Sequence, residues 1–432
     1  MDAGLTSRFA GRSTHRTTAV PGRGDLTRPI FLSVDQHREV VAATEGLFDL
    51  LRRLPDVLFG GDLRRCADDL GLSEDESDLV LADVALPDPG MGRADLCWDG
   101  RALRLVEFNV GGNVGGWDIG LAAGRRMDDP VLRDFCSRHE LVLDDPGAAM
   151  VDALHRVSPR PDPVVAVVCS EARVRPGTPL FTAMTGWLGQ LGLRAVAAHH
   201  RQLAISDSGV AVDGLTVDVV YRMWGLSDIR ADPTVGMLHR QVARAARRGR
   251  VGLHSPLSSE LACSKGALGL LSEAADDGRL NPVDAALVAR TVPWTRRTGA
   301  RWSTRDGQRI DLVAHARERR EGLVLKPELG LGGTGVLIGA ESTPGEWSLA
   351  LDGAQHGGFV VQERVQERLL DVPRQDGSPA TARVVLGALC AQGRYAGCLA
   401  RAASPGDGGV VNTTRGASEG FVLRASGSGG RR

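Results

Sequence analysis

The spacing of apolar positions changes several times along the chain, and each change predicts a different element. Between Gln36 and about Leu81, apolar residues such as Val40, Ala43, Leu47, Leu50 and Leu51 recur at helical spacing. That pattern predicts two or three helices, broken at Pro55 and at Gly60-Gly61. From Ala94 to Val110 the run ADLCWDGRALRLVEFNV alternates instead, across Asp99-Gly100, which is the signature of a hairpin. After Pro163 the order is strand (Val164–Cys169), helix (Leu180–Leu191) and strand (Arg194–Ala198). A hairpin around Ser206–Gly209 and a strand from Val217 to Arg222 follow. Such α/β alternation implies a partly parallel sheet. Arg230–Ala274 and Pro282–Val292 read as mainly helical. Strands return at Leu323–Lys326, Gly335–Ile338, Phe359–Gln362, Arg383–Cys390 and Arg394–Ala400. The pattern contains no internal repeat and no low-complexity tract.

Length and charge narrow the class of function. A chain of 432 residues suits two or three domains. Its formal net charge of −1 provides no basic field for nucleic acid. The longest apolar runs are strand-sized, so no membrane span is expected. Met1 to about Pro29 is rich in Arg, Thr and Gly without an apolar core, and reads as a disordered arm over residues 1–28, not a signal peptide. Residues 426–432 read as a disordered tail. Seven cysteines without a C-x-x-C, and ten histidines without H-E-x-x-H, argue against a zinc site or disulfide framework. A reducing cytoplasm is the expected location. His199-His200 reads as a surface pair at a strand end.

Lysine is almost absent. Among 52 Lys and Arg residues, only Lys265 and Lys326 are lysine. Lys is a compact point charge on a flexible stem, whereas Arg is a wide planar fork. A site that wedges one ammonium between phosphate oxygens would retain lysine. Lys326 ends the apolar run Leu323–Leu325, and a glycine-rich loop, Gly330 to Gly335, follows at once. Such a loop lets backbone N–H groups close around phosphates. A glycine-rich hairpin turn with Lys326 on a solvated edge is the other reading. Lys265 stands at a helix start in ACSKGALGLL, and GGFVVQERV (Gly357–Val365) supplies an apolar strand with a polar end.

This series resembles the ATP-grasp ligases, in which two α+β lobes clamp ATP and a lysine from each half of the site touches its phosphates. The resemblance implies that Lys265 and Lys326 hold phosphates, with Gly332, Gly333, Thr334 and Gly335 closing over them. It also implies that residues 360–363, with Gln362 and Glu363, read adenine and ribose, partly through backbone groups. The segment from Ala382 to Ser418 looks like the late part of peptide-extending glutamate ligases, with Arg401, Asn412 and Arg415 at corresponding places. Arg401 would then stabilise charge as the γ-phosphoryl passes to a carboxylate, and Asn412 would contact nucleotide or metal.

In those ligases an acidic metal-binding strand follows, whereas here only EGFVLRASGSGGRR remains. The metal set is read instead at Asp95, Glu107 and Asn109, early in the chain. Glu107 and Asn109 differ by two and so share one strand face. Two carboxylates and an amide oxygen are a hard-oxygen set suited to Mg²⁺. This order resembles the glutathionylspermidine synthetase-like group, a circularly permuted arrangement whose R-x-D and E-x-N strands match Arg93–Asp95 and Glu107–Asn109. It departs after Asn109, where VGGNVGGWDIG follows, so the resemblance does not carry over a polyamine or glutathione substrate. Asp407 with Asn412 is the rival metal placement, without a Glu-x-Asn.

The expected fold is therefore α/β with α+β lobes, a permuted ATP-grasp. The expected organisation is a helical segment plus metal hairpin (29–160), a Rossmann-like pre-grasp domain (161–230) and grasp lobes (231–425). The expected activity is an ATP- and Mg²⁺-dependent carboxylate–amine ligase, with two ions and Arg401 and Arg222 as catalytic cations. Partners are a small-molecule or peptide carboxylate and an amine, in metabolite synthesis, with no nucleic acid and no membrane; a homodimer stays open. An ATP-grasp kinase and a non-catalytic nucleotide-binding module are the alternatives.

Overall fold

The computed structural model describes residues 26, 28–170, 179–330, 333–372 and 380–427. The expected arm up to residue 25, most of the expected tail and Gly332 lie outside the described residues. Strands are numbered in chain order: β1 (Ile30–Leu32), β2 (Gly92–Trp98), β3 (Leu103–Val110), β4 (Leu141–Leu143), β5 (Val164–Cys169) and β6 (Arg194–His199). Next come β7 (Leu203–Ser206), β8 (Gly209–Val212), β9 (Leu215–Val217), β10 (Val219–Arg222), β11 (Gly252–His254) and β12 (Thr295–Arg297). Then β13 (Trp302–Arg305), β14 (Gln308–Asp311), β15 (Leu323–Pro327), β16 (Leu337–Ile338) and β17 (Phe359–Glu363). The last four are β18 (Leu369–Asp371), β19 (Thr381–Ala391), β20 (Arg394–Ala403) and β21 (Ser418–Ala425).

The largest sheet joins the two ends of the sequence. Its order is β1-β21-β20-β19-β2-β3, with β18 on β19 and β4 on β21. The β2–β3 hairpin thus lies directly against the β19–β20 hairpin, with Gly387 opposite both Asp95 and Leu399. A second sheet, β11-β10-β5-β6, is parallel throughout. All six residues of β5 are buried, which is why VVAVVC shows no alternation: helices cover both faces of such a strand. A third sheet, β12-β17-β15-β16, is antiparallel and has its own small core around Leu325, Trp347, Leu351 and Val361.

Several elements differ from the sequence reading. The N-terminal region holds four helices, not two or three: Val34–Arg52, Leu54–Phe59, Leu63–Asp69 and Glu74–Ala82. Pro55 occupies the first turn of the second helix, where its missing N–H costs nothing, so it starts a helix and does not simply break one. Ser33 and Gln36 form a capping box on the first, whose buried Val40, Leu47 and Leu51 pack toward the large sheet. β11 interrupts the stretch read as helical. The terminal segment is strand β21, held between β20 and β1. Its stability comes from pairing on both sides, which local pattern does not reveal. Leu26, inside the expected arm, is buried and hydrogen-bonds through its N–H to the Glu419 carbonyl at 2.8 Å. His200 is also buried, at 2% exposure, with Nε2 3.2 Å from Thr234 Oγ1; it is not half of a surface pair. Among the described residues no helix is long and apolar enough to cross a membrane.

Candidate functional site

Register places four polar side chains together. Asp95 lies opposite Glu107, and Arg93 opposite Asn109, with a register shift just beyond Asp95. Asp95 is the hub. Arg93 Nε donates to it at 2.7 Å, Arg401 Nη2 at 2.5 Å and Asn109 Nδ2 at 3.4 Å. Burial alone would raise its pKa, but the Arg401 and Arg93 guanidiniums outweigh burial and hold the carboxyl at about 2. Glu107 ion-pairs with Lys265 at 2.9 Å.

The two lysines arrive from different elements. Lys265 opens the helix Lys265–Asp276, whose N-cap Ser264 accepts from the Gly266 N–H. Its own N–H donates to the Glu328 carbonyl at 2.9 Å, and its Nζ to the Gly330 carbonyl at 2.9 Å. Gly266 is fixed by space, because a Cβ there would stand 2.9 Å from the Glu328 carboxylate. Lys326, on β15, is 5% exposed. Its Nζ donates to Gln362 Oε1 at 2.6 Å and to the Val106 carbonyl of β3 at 3.0 Å. Burial lowers its pKa to about 8; Lys265 adds to the fall and Glu107 opposes it. The buried ammonium therefore has neutral oxygens as its hydrogen-bond partners, a state that an incoming anion would relieve.

A cleft of about 80 Å³, lined by Asp95, Glu107, Lys326 and Arg401, lies between the large sheet and the β15–β17 sheet. Arg383 lines it, a residue that no motif in the sequence singles out. Its Nη atoms donate to the Gly409 and Gly408 carbonyls at 2.8 and 3.1 Å. The Nε atoms of Arg383 and Arg401 are buried and have no acceptor among the described residues. Two buried donors on fixed guanidiniums suit an oxyanion. Gly333, at φ +74°, leaves no room for a side chain: a Cβ would come within 2.7 Å of Val410. Its carbonyl accepts from Arg415 Nη2 at 3.2 Å. Gly335, at φ +72°, is similarly tight against Pro327. Thr334 follows Gly333 in the same turn, and Asn412 lines the cleft from the opposite side.

Other expected members serve different ends. Arg222 is fully buried and clamps its own surroundings. Its guanidinium donates to the Ser255 carbonyl at 2.7 Å, to the carbonyls of Pro256 and Trp224, and to Glu260 at 3.4 Å. With those donors committed, it does not join the cleft, and its expected catalytic role is corrected to a structural one. Gln362 spends its side chain on Lys326 and on Thr295 Oγ1, at 3.0 Å. Glu363 faces the cleft and Arg305, at 3.4 Å. Of the backbone groups at 360–363 expected to read adenine, the Glu363 N–H is engaged by the Trp294 carbonyl at 2.8 Å. Asp407 caps its own turn through the Ser404 N–H at 2.9 Å, away from the cleft lining. Arg93, the first residue of the R-x-D match, gains a role that the spacing did not give it, as a donor to Asp95. Glu419, opposite Arg401 in β21, lies in a segment whose local pattern predicts no strand.

The donor set can be tested against a divalent ion. Among the described residues no group of three or more His, Cys, Asp or Glu side chains is arranged to hold a metal. Asp95, Glu107 and Asn109 instead offer two carboxylates and an amide on one face. Mg²⁺ is usually held by one or two carboxylates, with phosphates and water completing its octahedron. By type the three residues suit such an ion arriving with phosphates, and it would take over Asp95 and Glu107 oxygens that now accept from Arg93, Arg401 and Lys265.

No family model matches the sequence, and no curated protein matches it. Solved structures match in shape. The glutathione synthetase-like effector GSS30 from Globodera pallida, in apo form, is 12% identical, with a TM-score of 0.53 over 93% of this chain and 90% of that one. A γ-glutamylcysteine synthetase-like protein from Methylobacillus flagellatus KT is 13% identical, with a TM-score of 0.44 over 95% and 90%. The ATP-grasp ligase PsnB, complexed with a minimal precursor, is 13% identical, with a TM-score of 0.32 over 62% and 92%. The first likeness is one of fold. The chain shares the mixed α/β fold of that effector, in keeping with the α/β class expected from the sequence.

Proposed function

We propose that the protein is an ATP- and Mg²⁺-dependent ligase that joins a carboxylate to an amine through an acyl phosphate. One observation supports this reading above the others. Two lysines from separate elements converge on strand β3, one on the Glu107 carboxylate and one on the Val106 carbonyl. They do so beside a buried arginine that already contacts Asp95.

In this reading the triphosphate enters the cleft and receives the Lys265 and Lys326 ammoniums. Asp95, Glu107 and Asn109 would hold Mg²⁺, which neutralises phosphate charge when bound. Arg401, with its Nε directed at no protein acceptor among the described residues, stabilises charge on the transferring phosphoryl. Arg93 orients the Asp95 carboxylate from the other side. A substrate carboxylate oxygen attacks the γ-phosphorus and ADP leaves. An amine nitrogen then attacks the acyl carbon, inorganic phosphate departs and the amine loses its proton. No protein nucleophile is needed.

The test is an ADP-release screen over paired carboxylates and amines, with mass spectrometry of the products. A product heavier by carboxylate plus amine less water supports the ligase. ADP release that needs no amine, with a stable phosphorylated product, would make the protein a kinase. Nucleotide binding without turnover in any mixture would leave only a binding module.

A further inference from the structure

Arg297 closes strand β12 and touches three parts of the molecule at once. Its Nε donates to Glu328 Oε1 at 3.1 Å, and its Nη1 to Asp69 Oδ2 at 2.6 Å. Its Nη2 also donates to the Asp69 carbonyl. Asp69 ends the third N-terminal helix, Leu63–Asp69. The stem of Arg297 lies against the helix Lys265–Asp276, at Gly269.

Glu328, 5% exposed, stands midway between Lys326 and Gly330. Its N–H donates to the Gly358 carbonyl at 2.9 Å, and its own carbonyl accepts from the Lys265 N–H at 2.9 Å. Two residues on, the Gly330 carbonyl accepts from the Lys265 ammonium at 2.9 Å. The segment from 326 to 330 therefore carries one lysine and holds the other. The helix that opens with Lys265 is shaped to the ion pair. Gly266 and Gly269 are three apart and share one helix face. A Cβ on the first would stand 2.9 Å from Glu328 Oε2, and on the second 2.8 Å from Arg297 Cγ. Glycine is a poor helix residue, and the room that the pair needs accounts for both.

We propose that Arg297 is a positioning residue for the nucleotide site. Through Glu328 it fixes the spacing of the Lys265 and Lys326 ammoniums, and through Asp69 it ties that spacing to the N-terminal helices. Arg297, Glu328 and Asp69 do not line the cleft, so they act through the two lysines. Attraction between an ammonium and a phosphate oxygen falls with distance. Loosening the anchor thus weakens the hold on phosphates and leaves contacts to base and ribose as they were. The proposal rests on the reading that both ammoniums receive the triphosphate.

The experiment is calorimetry of ATP and of adenosine, with Mg²⁺, on the full chain. Wild type should bind ATP more tightly than adenosine. Arg297→Gln should weaken ATP on the order of tenfold, within the range for one ion-pair network, and leave adenosine unmoved. Adding Glu328→Gln should cost nothing further, since both changes act through one contact. A role confined to stability would lower the thermal midpoint and leave the ratio of the two affinities unchanged. An unchanged ratio in folded Arg297→Gln, or an additive loss in the double variant, would overturn the proposal. Should Arg297→Gln fail to fold, Asp69→Asn gives the same readout from the outer end, where the carboxylate is 42% exposed. ATP alone should weaken there too, and an unmoved ratio is again the contrary result. A wild type that binds ATP no more tightly than adenosine would remove the nucleotide reading and this proposal with it. A wild type that prefers ATP, with variants that do so equally, would remove the positioning role alone.

Discussion

The surroundings of Asp95 and of Arg222 differ in how their charges are matched. Around Asp95, carboxylates and cations alternate: Asp95 meets Arg93 and Arg401, and Glu107 meets Lys265. Pairing makes burial of these charges tolerable, whereas Lys326 has neutral hydrogen-bond partners and a lowered pKa. Around Arg222 one guanidinium serves the Glu260 carboxylate at 3.4 Å and backbone carbonyls besides. The buried arginines show the same contrast. Arg401 keeps its Nε unmatched beside a cleft, while Arg222 spends its donors on carbonyls of its own fold. A buried arginine is a candidate for chemistry when a donor lacks a protein acceptor, and for architecture when its donors are committed.

Arg401→Met breaks the first half of the comparison most severely. In the proposed reading it removes a donor to the transferring phosphoryl, so ADP release should fall about 100- to 1000-fold, the range for loss of one such donor. Steady-state kinetics with a productive substrate pair will show whether kcat takes the loss. Arg222→Met should instead destabilise the fold by about 3–5 kcal/mol, because it leaves Glu260 and several carbonyls without their buried partner. Denaturant titration reads that difference. A folded Arg222→Met protein of normal stability but without activity would reverse the assignment. Lys326→Arg comes next. It keeps charge but places a fork where one ammonium fits between Gln362 and Val106, so ATP affinity should drop at least tenfold.

How much of this was legible in the sequence depended on where each signal was local. The β2–β3 hairpin alternates clearly, so residue spacing alone puts Glu107 and Asn109 on one face and Asp95 on the neighbouring arm. The rarity of lysine singles out Lys265 and Lys326, which the fold brings to the same strand. Strand β21 is invisible in the pattern, because SEGFVLRA is stabilised by neighbours far away in the chain. Arg383 and Arg222 look alike in sequence, each beside an apolar run, and only their hydrogen bonds separate them. The Glu363 N–H, inside the 360–363 range expected to read adenine, is engaged by Trp294, a tertiary pairing that local pattern does not reveal.

Lowered Lys326 basicity makes a pH prediction. In the free protein this group loses its proton near pH 8, well below its ordinary 10.5. Between those values the unfolded chain binds more protons, so this group's destabilising effect, full below pH 8, fades as pH rises toward 10.5. Triphosphate binding favours the charged form. Binding just above pH 8 should therefore take up a proton, and affinity should weaken by up to about tenfold for each further step of one pH unit. Calorimetry in buffers of different ionisation enthalpy measures the uptake. No proton uptake would mean that Lys326 stays away from the phosphates. Gly333→Ala should have the smallest effect, since the new methyl at φ +74° must displace Val410. A loss of about 1 kcal/mol in stability or affinity is expected.

In the proposed reading the metal–nucleotide complex is held by strand β3, through Glu107. Mn²⁺ can stand in for Mg²⁺, and its electron paramagnetic resonance signal reports how tightly it is held with ADP on the protein. Glu107→Gln and Asp407→Asn are compared with the wild type in parallel. Glu107→Gln should weaken Mn²⁺ retention at least tenfold while ADP still binds, and Asp407→Asn should behave like the wild type. Retention unchanged in Glu107→Gln and lost in Asp407→Asn would contradict that reading.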